Sequence, residues 1–200
     1  MKLAERLRDM PLLWITLPRR YDRGHFFWKH NIQRWPELRW IQVWGADPVT
    51  HGFRPHGPAP AETPGQVGAW LSHYFAWQIA LATGAPYVAI FEDDVQLADD
   101  WQERVAELNC VATDAVHLGP KEERGVYAYL VGRHRLMAWL EDLRSRLEHI
   151  DHQVWNTHAM FTLSRPVARH CHDQLLSETC AHTWATYHGE ANNQGTKGTE

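Results

Sequence analysis

Apolar runs and amphipathic segments alternate along the chain. Residues 12–17 and 86–91 are short apolar runs rich in β-forming side chains, which predicts buried strands. Residues 66–83 and 133–147 carry apolar side chains at helical spacing. Further strands are predicted at 38–44, 115–118, 125–132 and 160–163, further helices from about 24 to 35 and at 99–109, and a turn at 149–151. This alternation predicts an α/β fold with a mostly parallel central sheet flanked by helices, whose ligands bind beyond the carboxyl ends of the strands.

Three consecutive carboxylates, Glu92, Asp93 and Asp94, follow the strand predicted at 86–91. Like charges at the end of a buried strand repel each other and resist desolvation. A hard divalent cation, Mn²⁺ or Mg²⁺, would offset that cost because it prefers oxygen ligands. The alternative is a solvated turn that starts the next helix, where acidic residues are favourable. Residue types alone leave both interpretations open.

A basic turn with Arg19, Arg20 and Arg23 follows the first predicted strand. In a parallel sheet this turn and the acidic triplet share one edge. Guanidinium groups bind phosphate oxygens, and a cation can bridge the same phosphates to carboxylates. The two turns together predict a diphosphate site, whereas the basic turn alone would indicate only a solvated helix start.

Composition and charge exclude some classes of protein. The 200 residues include 11 tryptophans, which are either core residues or flat platforms for sugars and bases. The net charge of −4 disfavours a protein that mainly binds nucleic-acid phosphates.

Residues 1–10 are charged throughout and the apolar stretch 11–17 is short, so we expect no secretory signal and no membrane span. Three cysteines without a paired framework indicate a cytoplasmic setting. We predict one domain over 1–188 and a disordered polar tail over 189–200.

Four stretches, in order, resemble glycosyltransferase family 25, which includes lipooligosaccharide and collagen-type galactosyltransferases. They are residues 15–23 (ITLPRRYDR), 65–73 (GQVGAWLSH), 90–95 (IFEDDV), and 125–131 (GVYAYLV) followed by 150–151 (ID). The resemblance implies a GT-A-like nucleotide-sugar fold and a UDP-sugar donor, often UDP-galactose. It also implies a Mn²⁺-type cation, a glycan or other hydroxyl acceptor, and inversion at the anomeric carbon.

The resemblance also implies roles for individual residues. Glu92 and Asp94 stand where a DxD motif would hold metal and ribose, with Asp93 between them. Donor-side positions fall on Arg19, Arg23, Ser72 and His73. Asp151 matches a late aspartate near the acceptor and is our first candidate for the general base, ahead of His73. Asp151 as a turn residue and His73 as a packed histidine are the alternatives.

A cluster of histidines and cysteines near the end of the chain matches no standard zinc spacing. Its members are His170, Cys171, His172, Cys180 and His182. On the GT-A analogy we expect a histidine of this region, His182 or His188, to complete the shell of the catalytic metal.

The chain departs from the family pattern at two acidic positions. The acid of the family's "GE" pair is Gln66 here, and the "DG" after the second strand is replaced by Trp44 and Gly45. These losses leave room for a different donor or for a weakened enzyme. Two other functions are also open. One is transfer to modified nucleic-acid bases, and the other is non-catalytic binding of a nucleotide sugar or carbohydrate.

Overall fold

The computed structural model describes residues 7–48, 63–108, 115–123, 125–143, 150–151, 154 and 160–171. Eight strands lie in these ranges: β1 (Leu12–Thr16), β2 (Trp40–Trp44), β3 (Tyr87–Glu92), β4 (Val95–Leu97), β5 (Ala115–His117), β6 (Ala128–Gly132), β7 (Phe161–Thr162) and β8 (Ala168–His170). The helices are α1 (Tyr21–Phe27), α2 (Pro64–Ala82), α3 (Trp101–Ala106) and α4 (Arg133–Leu143). A π-helical turn, Trp28–Ile32, continues α1.

The central sheet has the strand order β2-β1-β3-β6-β5-β7. Strand β6 runs antiparallel to both of its neighbours, and the other pairs are parallel. The predicted α/β class with a mostly parallel sheet is therefore confirmed. The carboxyl ends of β1, β2 and β3 lie at one edge, so the segments that follow these strands face each other there.

Two apolar layers cover the two faces of the sheet. Helix α2 packs on one face with α4, and its buried residues include Trp70 and Trp77. The other layer contains Phe27 of α1 and Trp101 of α3. Because both faces are covered, β1 is buried along its whole length, as its unbroken apolar run predicts.

Helix α2 begins two residues earlier than the sequence predicts, because Thr63 caps it. The Thr63 hydroxyl accepts a hydrogen bond from the Gln66 amide, and the Gln66 side chain accepts one from the Thr63 amide. This reciprocal capping box occurs with Pro64 in the first turn, where a missing N–H costs nothing. Gln66, which replaces an acid of the family pattern, thus has a structural role here.

Strands β4 and β8 form a small second sheet that the sequence did not predict. Each has three residues, and they are far apart in the chain, so no local pattern indicates their pairing. The prediction of a turn at 149–151 was wrong for Ile150 and Asp151, which are helical. The predicted tail at 189–200 lies outside the described residues. No helix in the described ranges has both the length and the apolar character needed to cross a bilayer.

Candidate active site

The acidic triplet is buried at the carboxyl edge of the sheet. Glu92 ends β3, and Asp93 and Asp94 form the turn into β4. Only 5% of Asp93 and 1% of Asp94 is exposed, whereas the Glu92 side chain is 30% exposed. Water therefore does not solvate this turn, and the alternative of a simple surface turn is wrong.

Arg23 supplies positive charge to the acidic turn. Helix α1 starts shortly after β1, so its first turns lie beside the end of β3. The Arg23 guanidinium contacts Oδ2 of Asp94 and lies 3.6 Å from Oδ1 of Asp93. The basic and acidic segments therefore meet at one edge, as predicted for this arginine.

His170, at the end of β8, completes the cluster around Asp94. Its Nε2 atom lies 3.1 Å from Oδ2 of Asp94. The pairing of β4 with β8 sets His170 opposite Val95, and the Cys171 amide donates to the Asp94 carbonyl at 2.8 Å. The imidazole also stacks on Tyr127, with 4.6 Å between ring centroids.

Glu92, Asp94 and His170 fit a divalent cation. One ligand atom from each lies within 4.8 Å of the others. Oδ1 of Asp94 is buried and has no hydrogen-bond partner among the described residues, which is costly unless a cation is bound. Two carboxylates and one imidazole suit Mn²⁺, and Mg²⁺ less well. The donor chemistry and the orphaned oxygen thus agree with a metal site.

The environments of Glu92 and Asp93 push their pKa values apart. Burial raises the pKa of Glu92, but the hydrogen bond from His73 and the nearby positive charge of Arg23 act in the opposite direction, and the net pKa is well below its usual range. Burial raises the pKa of Asp93 to about 6, although Arg23 and a hydrogen bond from Thr16 act in the opposite direction. Glu92 is therefore an anionic ligand candidate over the whole physiological pH range.

A cavity of about 270 Å³ opens above these groups. It is close to the lower end of the range for small-molecule sites, about 300–1,000 Å³. Helix α2 contributes the small residues Gly65, Gly68 and Ala69 to its wall, and Tyr127 and Asp151 also line the cavity. The cavity therefore has a charged floor and a wall with little side-chain bulk.

The structure brings eight of the nine predicted site residues to this region. All eight line the cavity: Arg19, Arg23, Ser72, His73, Glu92, Asp93, Asp94 and Asp151. Oδ1 of Asp151 accepts a hydrogen bond from the Val126 amide at 2.9 Å. His182 lies outside the described residues.

Ser72 and His73 make contacts that limit their possible roles. The Ser72 hydroxyl donates to the Gly68 carbonyl at 2.6 Å and accepts from the Ala46 amide at 2.8 Å. It thereby fastens α2 to the loop after β2. His73 is 1% exposed, with Nδ1 2.9 Å from the Tyr129 hydroxyl and Nε2 3.1 Å from Oε1 of Glu92.

Sequence reasoning missed His170 as the third ligand candidate, and it missed Asp47 and Glu123. His170 was in the recognised histidine and cysteine cluster, but its pairing partner β4 was not predicted. Asp47 lies in the loop after β2, is 3% exposed, and accepts from Arg19 Nε at 2.5 Å. It provides a carboxylate near the position where the family's "DG" acid is absent. Glu123 lines the cavity and accepts a hydrogen bond from the Tyr127 hydroxyl.

The fold resembles those of solved glycosyltransferases. The glycosyltransferase involved in glycosylation of the major capsid of PBCV-1 aligns with a TM-score of 0.51 at 7% identity, covering 92% of this chain and 98% of that one. The apo-form glycosyltransferase GlyE of Streptococcus pneumoniae TIGR4 also aligns with a TM-score of 0.51, at 10% identity, covering 93% and 63%. Such identities show the fold alone, and they confirm the predicted GT-A-like fold.

Sequence comparison finds a family match for about a third of the chain. Residues 61–124 match the model of glycosyltransferase family 25, described as an LPS biosynthesis protein family. Inactive glycosyltransferase 25 family member 3 of Mus musculus is 36% identical over 66 residues, which cover 30% of this chain and 11% of that protein. Residues 61–124 are therefore similar to glycosyltransferase family 25, in agreement with the resemblance found in the sequence motifs. It spans only about a tenth of the length of the mouse relative.

Proposed function

We propose that this chain is a metal-dependent glycosyltransferase that moves a hexose of the galactose or glucose type from a UDP-sugar to a hydroxyl acceptor such as a glycan. The observation that supports it most is the buried cluster of Glu92, Asp94 and His170 at the floor of the cavity. Buried carboxylates with an orphaned oxygen indicate a cation-binding function rather than a structural one.

The proposed chemistry develops charge on both groups joined by the donor bond that breaks. Glycosyl transfer develops positive charge on the sugar ring and negative charge on the leaving diphosphate. A cation held by Glu92, Asp94 and His170 would stabilise that diphosphate. Arg19 and Arg23 line the same cavity and would donate hydrogen bonds to phosphate oxygens, Arg19 being held in place by Asp47.

An inverting reaction requires a base that takes the acceptor hydroxyl proton. We assign this role to Asp151, whose carboxylate lies at the cavity wall and is oriented by the Val126 amide. His73 is a poorer base, because both of its ring nitrogens already have partners and the side chain is buried. Inversion itself rests on the family resemblance.

A second candidate function is non-catalytic binding of a nucleotide sugar. It is favoured by the name of the mouse relative, which describes an inactive protein. Turnover separates the two functions. Transfer or slow hydrolysis of a UDP-sugar would support the enzyme, whereas calorimetric binding of the donor with no turnover against an acceptor panel would support the binding domain.

The metal role is tested by Asp94→Asn, with Asp99→Asn as the matched control. Asp99 lies five residues further on, and its side chain is 83% exposed and paired with Arg34 at the surface. We expect Asp94→Asn to lose Mn²⁺ binding and UDP-sugar turnover by at least about 100-fold, since it removes one ligand charge. Asp99→Asn should retain both. Wild-type Mn²⁺ affinity in Asp94→Asn would refute the proposed metal site.

A further inference from the structure

A chain of three hydrogen bonds runs through the core to Glu92. The Trp77 indole nitrogen lies 2.8 Å from the Tyr129 hydroxyl, which lies 2.9 Å from Nδ1 of His73. Nε2 of His73 is 3.1 Å from Oε1 of Glu92. Trp77, Tyr129 and His73 are each 1% exposed, so solvent does not compete for these bonds.

The direction of each hydrogen bond follows from its donors and acceptors. An indole N–H can only donate, so the Tyr129 oxygen accepts from Trp77. The buried hydroxyl hydrogen of Tyr129 then goes to Nδ1 of His73, the acceptor within reach. This assigns the ring proton of His73 to Nε2, which donates to the Glu92 carboxylate.

We propose that His73 is a positioning residue, which holds the Glu92 carboxylate in its metal-binding orientation. Tyr129 and Trp77 fix the ring of His73 through the hydrogen bonds described above. This rests on the proposed function, since it takes Glu92 as a metal ligand. Groups behind a metal ligand fix its orientation, and their loss weakens metal binding. Glu92 needs such a tether more than Asp94 does, because its side chain is longer and 30% exposed, compared with 1% for Asp94.

The position of His73 on α2 explains how the tether remains rigid. His73 and Trp77 are one helical turn apart, so both face the sheet, where Tyr129 of β6 lies between them. The ring of Tyr129 also packs against Trp139 of α4. The hydrogen-bond chain is thus fixed at its far end by packing of α2, β6 and α4, and its other end, with His73 and Glu92, lines the cavity.

The first test compares His73→Leu with His73→Gln by titrating Mn²⁺ and following the electron paramagnetic resonance signal of the free ion. Leucine cannot donate, so we expect Mn²⁺ binding to weaken about 10- to 100-fold. The glutamine amide places an N–H donor near the position of Nε2, so His73→Gln should stay within about threefold of the wild type. This rescue separates hydrogen-bond donation from simple packing.

The second test uses two buried tryptophans as a matched pair. Trp77→Phe removes the donor to Tyr129, whereas Trp101→Phe removes an indole that makes no hydrogen bond within the described residues. Both variants lose similar volume and should be less stable. We expect Trp77→Phe to weaken Mn²⁺ binding about 3- to 10-fold and Trp101→Phe to leave it unchanged.

Nitrogen-15 NMR of the metal-free wild type should show the Nε2–H tautomer of His73.

The outcomes distinguish this inference from the proposed function. A wild-type chain that does not bind Mn²⁺ would overturn both. Mn²⁺ binding of wild-type strength in His73→Leu, or an Nδ1–H tautomer of His73, would overturn only the positioning role. Equal weakening in Trp77→Phe and Trp101→Phe would also overturn it, because the effect would then come from packing.

Discussion

Asn31 is buried in the π-helical turn after α1, and its replacement tests how the site is supported. Its side-chain nitrogen donates to the Val95 carbonyl at 2.8 Å, and its oxygen accepts from the Leu97 amide at 2.9 Å. These groups lie on the edge of β4 that does not pair with β8, since the neighbouring Asp94 and Ala98 bond on the other edge to Cys171 and Val167, which flank β8. Asn31 therefore satisfies an otherwise open strand edge.

Asn31→Leu keeps the side-chain size and removes both hydrogen bonds. Asn31 is 0% exposed, so water cannot replace the lost partner. One buried N–H and one buried C=O would be left unsatisfied at about 1–3 kcal/mol each, so we expect the free energy of unfolding to fall by about 2–5 kcal/mol. That is a large fraction of a typical stability of about 5–15 kcal/mol. Denaturant unfolding monitored by tryptophan fluorescence measures the loss.

The same substitution should weaken the metal site, because β4 links Asp94 to the strand that carries His170. We expect weaker Mn²⁺ binding in Asn31→Leu under conditions where the variant remains folded. Gln33→Leu makes the same chemical change at an exposed position two residues on, and should alter stability by less than about 0.5 kcal/mol. A loss below about 1 kcal/mol in Asn31→Leu, or an equal loss in Gln33→Leu, would refute the reasoning.

Two further predictions concern pH and packing. Burial lowers the pKa of His117 to about 4, compared with about 6.5 in an unfolded chain, so its contribution to stability is complete above pH 6.5 and falls as the pH drops towards 4. Between pH 7 and pH 5 the wild type should lose up to about 2 kcal/mol more than His117→Gln in urea unfolding, and parallel losses would contradict this. In Gly68→Ala the new Cβ would lie 2.8 Å from the Ala46 carbonyl oxygen, so we expect a loss of about 1–3 kcal/mol and weaker UDP-sugar binding by calorimetry. Wild-type stability and affinity in this variant would show that the loop after β2 yields freely.

Local patterns predicted most of the sheet and both long helices. The apolar run at 86–91 and the periodic segment at 66–83 each contain enough residues to define a period, and their observed bounds differ by one or two residues. The acidic triplet was identifiable because three carboxylates after a buried strand are unfavourable without a compensating charge.

The remaining features depend on contacts between distant segments. Pairing of β4 with β8 brings His170 to Asp94, and neither three-residue strand carries a period that could reveal it. The hydrogen bonds of Asn31 to β4 also join distant segments. Its burial could therefore not be predicted from its neighbours Lys29 and His30, which are polar. Residue types indicated the two carboxylate ligand candidates, whereas the third candidate, His170, required the tertiary fold.

The pairing of β4 with β8 has a consequence for folding during synthesis. On the ribosome, Asp94 emerges long before His170, and the small sheet that joins them cannot close in the interval. Among the groups described here, Arg23 and His73 are made earlier than the acidic turn. The Arg23 guanidinium is therefore present to offset the charge of Asp94, and His73 to donate a hydrogen bond to Glu92. The nascent chain can thus form β1 and β3 with partners already available for the carboxylates of the acidic turn, whereas the proposed cation site is complete only when β8 has been released.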